Sequence, residues 1–165
     1  MAKRYRASDI ARYFLAKQDA EAGDTISNLK LQKLCYYAQG LAMATRGEPM
    51  FEEPVEAWLH GPVVPSLYRD YRDHGAAAIP AVTDLDLEHF DPADRMILDD
   101  VHTYYGQFSG WRLRQMTHEE APWREAYEED QNHEITLNAL AAHFDGEVDD
   151  SYREKYGALS RGEAH

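Results

Sequence analysis

Two histidines and a glutamate are the residues whose types could do chemistry in this chain. His60 sits at the break in "EAWLHGPVVP", and His118 with Glu119 follows a short helical run in "LRQMTHEEAPW". Neutral imidazoles beside a carboxylate can hold a metal ion or move a proton as an acid–base pair. The spacing demands neither. No HxxxH, HExxH, CxxC or HxH pattern is present, and nothing in the sequence forces residues 60 and 118 together. The plainer expectation is that each histidine hydrogen-bonds its own corner, with a ring nitrogen on a backbone carbonyl. Other chemistries find less support. There is no GxSxG, and "GQFSG" at 106–110 has no lysine to bind phosphate. Cys35 falls on an apolar helical stripe, where a thiol acts as a small buried hydrophobe. The sequence therefore asks for no catalytic group and no cofactor. An enzyme using His60, His118 and Glu119, with or without a metal, is the alternative.

The elements that must position these residues are mostly helical. Ser8 or Asp9 can cap a first helix carrying Ile10, Tyr13 and Phe14. Ser27 caps the clearest one, with Leu31, Leu34, Cys35, Ala38, Leu41 and Ala42 at three- and four-residue steps and Gly47 as its stop. This should be the central helix. A strand follows at about 54–60, with Val55, Ala57 and Leu59 alternating against Glu56, Trp58 and His60. Pro62 cannot donate to a ladder, so the strand ends there or lies at an edge. Pro65 suits a first helical turn before Leu67, Tyr68 and Tyr71. Residues 79–82 could pair with the strand. Further helices follow Asp91-Pro92, Ser109, Pro122 and Thr136. The expected fold is one mainly α, compact domain over residues 1–146 with a small β element of two or three short strands. Residues 147–165 read as a polar, flexible tail with at most a helical turn near Tyr152 to Tyr156.

Composition narrows the function classes. The chain has 165 residues, 44% hydrophobic, with eleven tyrosines and three tryptophans, enough for a real core. A single cysteine, no apolar run of membrane-spanning length and no signal-peptide h-region suggest a cytoplasmic protein. The formal charge of −13 opposes a phosphate backbone. Acids crowd between Glu119 and Asp150, with only Arg124 against them. That is either a solvated surface or a field that steers a basic protein partner. Trp58 and Trp123 both stand beside prolines. An aromatic held in a stiff setting is a common interface anchor, and the fixed φ at Pro62 and Pro65 limits the entropy lost on binding.

Two stretches carry a resemblance. "LKLQKLCYYAQGLAMATRGEPMFEEPVEAWLHGPVVPSLYRDY", residues 29–71, resembles the signature of the Panacea domain, the SocA-like antitoxin family, some of whose members are phage-associated. That signature has a KLQKLLYYAQG-like helix, a G-x-P-[LM]-F loop and an EAWxHGPVVPxxY corner. "LRQMTHEEAPWREA", residues 113–126, resembles its second signature, L-x-x-x-T-H-x-x-x-PW. The likeness extends over roughly residues 8–145. It implies an antitoxin of a bacterial toxin–antitoxin pair that binds a cognate protein toxin directly. It also admits a proteolytic adaptor that hands the toxin to ClpXP, and it implies no DNA binding by a chain without an added module. The signature positions then become the candidate partner-binding residues: Trp58, His60, Gly61, Pro62, Val63, Pro65, Tyr68, His118, Pro122 and Trp123.

Overall fold

The centre of the molecule is α2 (Asn28–Arg46). Its ends are set as the sequence requires: the Ser27 hydroxyl accepts the Lys30 amide at 3.3 Å, and Gly47, left-handed at φ +73°, donates its amide to Met43. The computed structural model describes residues 2–162, and in it every residue from 31 to 40 is buried. A helix enclosed on all sides must satisfy its polar side chains inside the protein. Here they fasten the surrounding loops. Gln39 accepts the amides of Met50 and Phe51 and donates to the Phe51 carbonyl. Gln32 accepts the Val64 amide at 3.0 Å. Lys30 donates to the Gly106 carbonyl at 2.6 Å.

Around α2 pack α1 (Ala7–Ala16), α3 (Pro65–Tyr71), α4 (Pro92–Tyr105), α5 (Gly110–His118), α7 (Leu137–Phe144) and α8 (Asp150–Ser160), with the short α6 (Ala121–Ala126) bridging α5 and α7. The mainly α, single-domain expectation holds. Ser109, Thr136 and Asp91 stand at the N-caps of α5, α7 and α4. The first helix differs. Its N-cap is Arg6, and Asp9 works from the third helical position by accepting the Arg6 amide at 3.1 Å. Where α2 packs on α7, a Cβ on Gly40 would lie 2.2 Å from Phe144 Cε2. Gly40→Ala therefore gains helix propensity but overpacks the α2–α7 contact, and should cost about 1–3 kcal/mol net. Urea denaturation checks this, with Gly40→Ala/Phe144→Leu expected to recover part of the loss.

The sheet has the order β2-β1-β3, from β1 (Val55–Trp58), β2 (Gly61–Val63) and β3 (Glu134–Ile135), all antiparallel. Pro62 lies on the edge strand β2, where its missing N–H is harmless. Residues 79–82 do not join the sheet. Ile79 instead donates its amide to the Ile26 carbonyl at 2.8 Å. The true third strand is two residues long, too short to show a period. Leu59 does not share the buried face of Val55 and Ala57. The strand ends at Trp58, and Leu59 lies in the turn, 58% exposed.

The segment read as a flexible tail is a docked helix through Ser160. Asp149 accepts the Tyr152 amide at 2.8 Å and starts α8. Tyr152, Tyr156 and Leu159 form one narrow stripe against the core, among residues that are otherwise mostly charged or small, so composition masked it. Tyr156 donates to Asp94 Oδ1 at 2.6 Å, beside Tyr5 on Oδ2 at 2.7 Å and Arg46 on Oδ1 at 3.0 Å. Residues 163–165 of the expected tail lie outside the described residues. Among the described residues, no helix is long and apolar enough to cross a membrane.

Candidate functional site

The hairpin corner is built from its turn outward. Trp58 pairs with Gly61 across a two-residue turn, Leu59-His60. Gly61 holds φ +106°, which L side chains rarely adopt, and a Cβ there would also lie 2.6 Å from Lys33 Cε. Both constraints select glycine. Pro65 then opens α3, which brings Tyr68 edge-on to Trp58, ring centroids 5.1 Å apart. The Trp58 indole N–H donates to Glu56 at 3.0 Å. Trp58 is thus half-buried against a second layer, one of the two settings its strand face allowed.

Between this hairpin, α2, α3 and α5 lies a pocket of 340 Å³. Trp58, His60, Val63 and Tyr68 line it, so four of the sequence-predicted residues converge there. Gln32 and Lys33 also line it from α2, and Trp111 from α5. Gly61 and Pro62 are buried in β2 and shape the pocket without lining it. His118, Pro122 and Trp123 stand behind it. The Trp123 indole donates to the Trp58 carbonyl at 2.7 Å, and its ring is stacked between His118 at 3.8 Å and Tyr127 at 4.6 Å. This stack holds the end of β1 against α6. It supports the corner and does not face the pocket.

The two histidines come near each other, but each has its own hydrogen-bond partner and none is found between them. His60 Nδ1 accepts from Arg114 Nε at 3.0 Å, and the Arg114 guanidinium lies over the Trp111 ring at 4.6 Å. Burial first, and then the Arg114 charge, lower the pKa of both His60 and His118, which favours neutral rings. His118 meets the Leu59 backbone as a hydrogen-bond partner, as expected of a corner histidine, although its buried Nε2 has no close partner, whereas the polar contact found for His60 is the Arg114 guanidinium. Glu119 is the exposed C-cap of α5, and among the described residues no group of three or more His, Cys, Asp or Glu could hold a metal. Cys35 is fully buried, and burial pushes its thiol pKa up, as a core thiol requires.

Two ionisable groups at this end of the molecule, one buried and one half-buried, carry no signal in the sequence. Lys33, with no exposed surface, donates to the Pro62 carbonyl at 3.2 Å. Burial, and then the Arg114 charge, push its pKa down to about 7. Glu120 accepts from the Tyr36 and Tyr37 hydroxyls, each at 2.9 Å. Burial pushes its carboxyl up to about 7, against the two phenol hydrogen bonds. Lys33 looks like a solvent-facing helix residue by type, and Glu120 like one more acid in an acidic run. Only the ring of elements around α2 reveals them.

Comparisons with known proteins fit this architecture. A family model described as "Antitoxin SocA-like, Panacea domain" matches residues 31–124. A 50-residue stretch is 46% identical to Antitoxin SocA of Caulobacter vibrioides (strain NA1000 / CB15N), covering 30% of this chain and 27% of that protein's length. No solved structure matches. The matched region runs from the core of α2 through the hairpin corner to the His118–Trp123 stack, more than half of the sequence. The chain belongs to the SocA-like, Panacea-domain antitoxin family.

Proposed function

We propose that this protein is an antitoxin that neutralises a cognate protein toxin by binding it directly, through the hairpin corner and its pocket. Family membership supports the class. The observation that carries the surface is the convergence of Trp58, His60, Val63 and Tyr68 on one pocket flanked by two exposed large hydrophobics, Leu59 at 58% and Trp111 at 54%. Exposed aromatic and aliphatic side chains on a rigid support make efficient binding anchors, because little entropy is lost on docking. The net charge of −13 adds long-range attraction for a basic toxin. Neutralisation can proceed by covering the toxin's working surface or by handing it to ClpXP.

The test is co-expression of the neighbouring open reading frame with and without this chain, in cells with and without ClpXP. Rescue with the partner accumulating in a complex means occlusion. Rescue that needs the protease, with the partner disappearing, means delivery. No toxicity and no complex overturns the antitoxin reading. Leu59→Asp should change stability by less than about 1 kcal/mol, because its side chain is mostly solvated, and Trp111→Ala should cost about 1–2 kcal/mol, because the ring also carries the Arg114 guanidinium. Each should weaken toxin binding at least about tenfold, read by calorimetry on the purified pair. Wild-type affinity in both variants would move the interface elsewhere.

A further inference from the structure

The pocket at the hairpin corner has the opposite electrical character from the rest of the chain. Acids outnumber bases by 30 to 17, yet among the described residues none that lines the pocket is acidic. Its charged lining is cationic: Lys33 from α2 and Arg72 just beyond α3. Arg114 adds a third positive charge through its contacts with His60 and Trp111.

Lys33 is the informative member. An ammonium has three donors, and the hydrogen bond found for it goes to a carbonyl, Pro62 O, at 3.2 Å. No described carboxylate forms an ion pair with it, although its side chain is wholly buried. Buried Lys30 likewise donates to a carbonyl, Gly106 O, whereas the enclosed Arg46 side chain meets Asp94 at 3.0 Å. A buried cation without an anion is costly, and the fold does not supply one here. Gly61 and Thr117 leave just enough room for the lysine to pass under the hairpin. Asn28, Gln32 and His60 add uncharged polar groups, and Leu29, Trp58, Val63, Tyr68 and Trp111 give the pocket its apolar and aromatic walls.

We infer that the pocket receives a carboxylate-bearing apolar anchor of the protein partner: an Asp, Glu or C-terminal carboxylate beside an aromatic or branched side chain. The carboxylate pairs with the exposed Arg72, in the field of the Lys33 amine enclosed beneath the hairpin, and the apolar side chain packs between Trp58, Tyr68 and Trp111. This rests on the antitoxin reading and deepens it. The acidic outer surface attracts the partner at long range, whereas the pocket selects a negative group at contact. The two preferences together specify a partner of mixed charge with an acidic or C-terminal tip.

Peptide titration of the full-length, nitrogen-15-labelled chain, followed by the indole signals of Trp58 and Trp111, tests the inference. The probes are acetyl-Gly-Ser-Gly-Leu-Phe with a free C-terminus, its C-terminal amide, acetyl-Gly-Ser-Asp-Leu-Phe-amide, and inorganic phosphate. The two carboxylate peptides should bind at least tenfold more tightly than the plain amide. Lys33→Met, which keeps the packing volume, should reduce that preference severalfold. Equal binding of acid and amide, an unchanged preference in Lys33→Met, or no shift with any peptide overturns the inference. So does an equal response to phosphate alone, which would make this a small-anion site. In the co-expression assay, failure of the wild-type chain to rescue overturns the antitoxin reading. Rescue by Lys33→Met equal to wild type, alongside normal rescue by wild type, overturns the carboxylate inference alone.

Discussion

Replacing Asp94 by alanine should destabilise the protein by about 3–5 kcal/mol, because it strands a charge where water cannot reach. The Asp94 and Arg46 side chains are 1% and 2% exposed. Asp94 also accepts the hydroxyls of Tyr5 and Tyr156, so one carboxylate joins the N-terminal segment, α2, α4 and α8. Small domains are stable by only about 5–15 kcal/mol in total, so this loss approaches unfolding. Urea denaturation at neutral pH gives the number. The control is Asp94→Leu/Arg46→Met, which removes both charges and should cost clearly less than Asp94→Ala. Equal losses would mean that the three acceptor bonds matter and the stranded guanidinium does not.

The second large effect is on pH dependence. Glu120 is raised from 4.5 to about 7. A group raised on folding contributes stability that is complete below its unfolded pKa and lost as pH climbs through the folded one. For Glu120 the contribution of roughly 3 kcal/mol disappears between pH 4.5 and 7. Lys33 is lowered from 10.5 to about 7. Its contribution, on the order of 5 kcal/mol, is complete above pH 10.5 and lost as pH falls to 7. The two losses meet near neutrality. Stability measured from pH 4 to 10 should separate them. The difference between Glu120→Gln and wild type should change between pH 4.5 and 7 and then level off. The difference between Lys33→Met and wild type should change from pH 7 upward. At pH 7 Lys33→Met should be the more stable protein, even after about 1 kcal/mol is lost with the Pro62 hydrogen bond. A Lys33→Met protein no more stable than wild type at pH 7 would show that burying this amine is cheap. A residue that weakens the fold at working pH is expected where binding needs it.

The long periodic elements are legible in the sequence itself. Ser27 and Gly47 bracket α2, and Pro65, Ser109 and Thr136 mark helix starts, because caps and turns are local chemistry. The corner motif pointed to Trp58, His60, Val63 and Tyr68, which do share a pocket. The failures were long-range. Leu59 alternates like a core residue, but the strand stops one position earlier. Glu134–Ile135 is too short to announce a strand. Residues 150–160 look too polar to pack, yet three spaced side chains suffice once α4 offers Asp94 and Asp100 to the phenols of Tyr156 and Tyr152. Lys33 and Trp111 went unnoticed for the same reason. Nothing local says that one will be enclosed and the other left bare. His118 and Trp123 were placed at the binding corner, but they stack behind it.

The enclosure of Cys35 gives the molecule a built-in clock. The only thiol in the sequence sits midway along the central helix with no accessible surface. A thiol reagent can reach it only when α2 is uncovered, so its rate of modification counts openings of the whole core. Every ring of structure described above, from the Asp94 junction to the hairpin, can therefore be timed in the unaltered protein. Loading the pocket should slow that clock, and loosening any one of these contacts should speed it up.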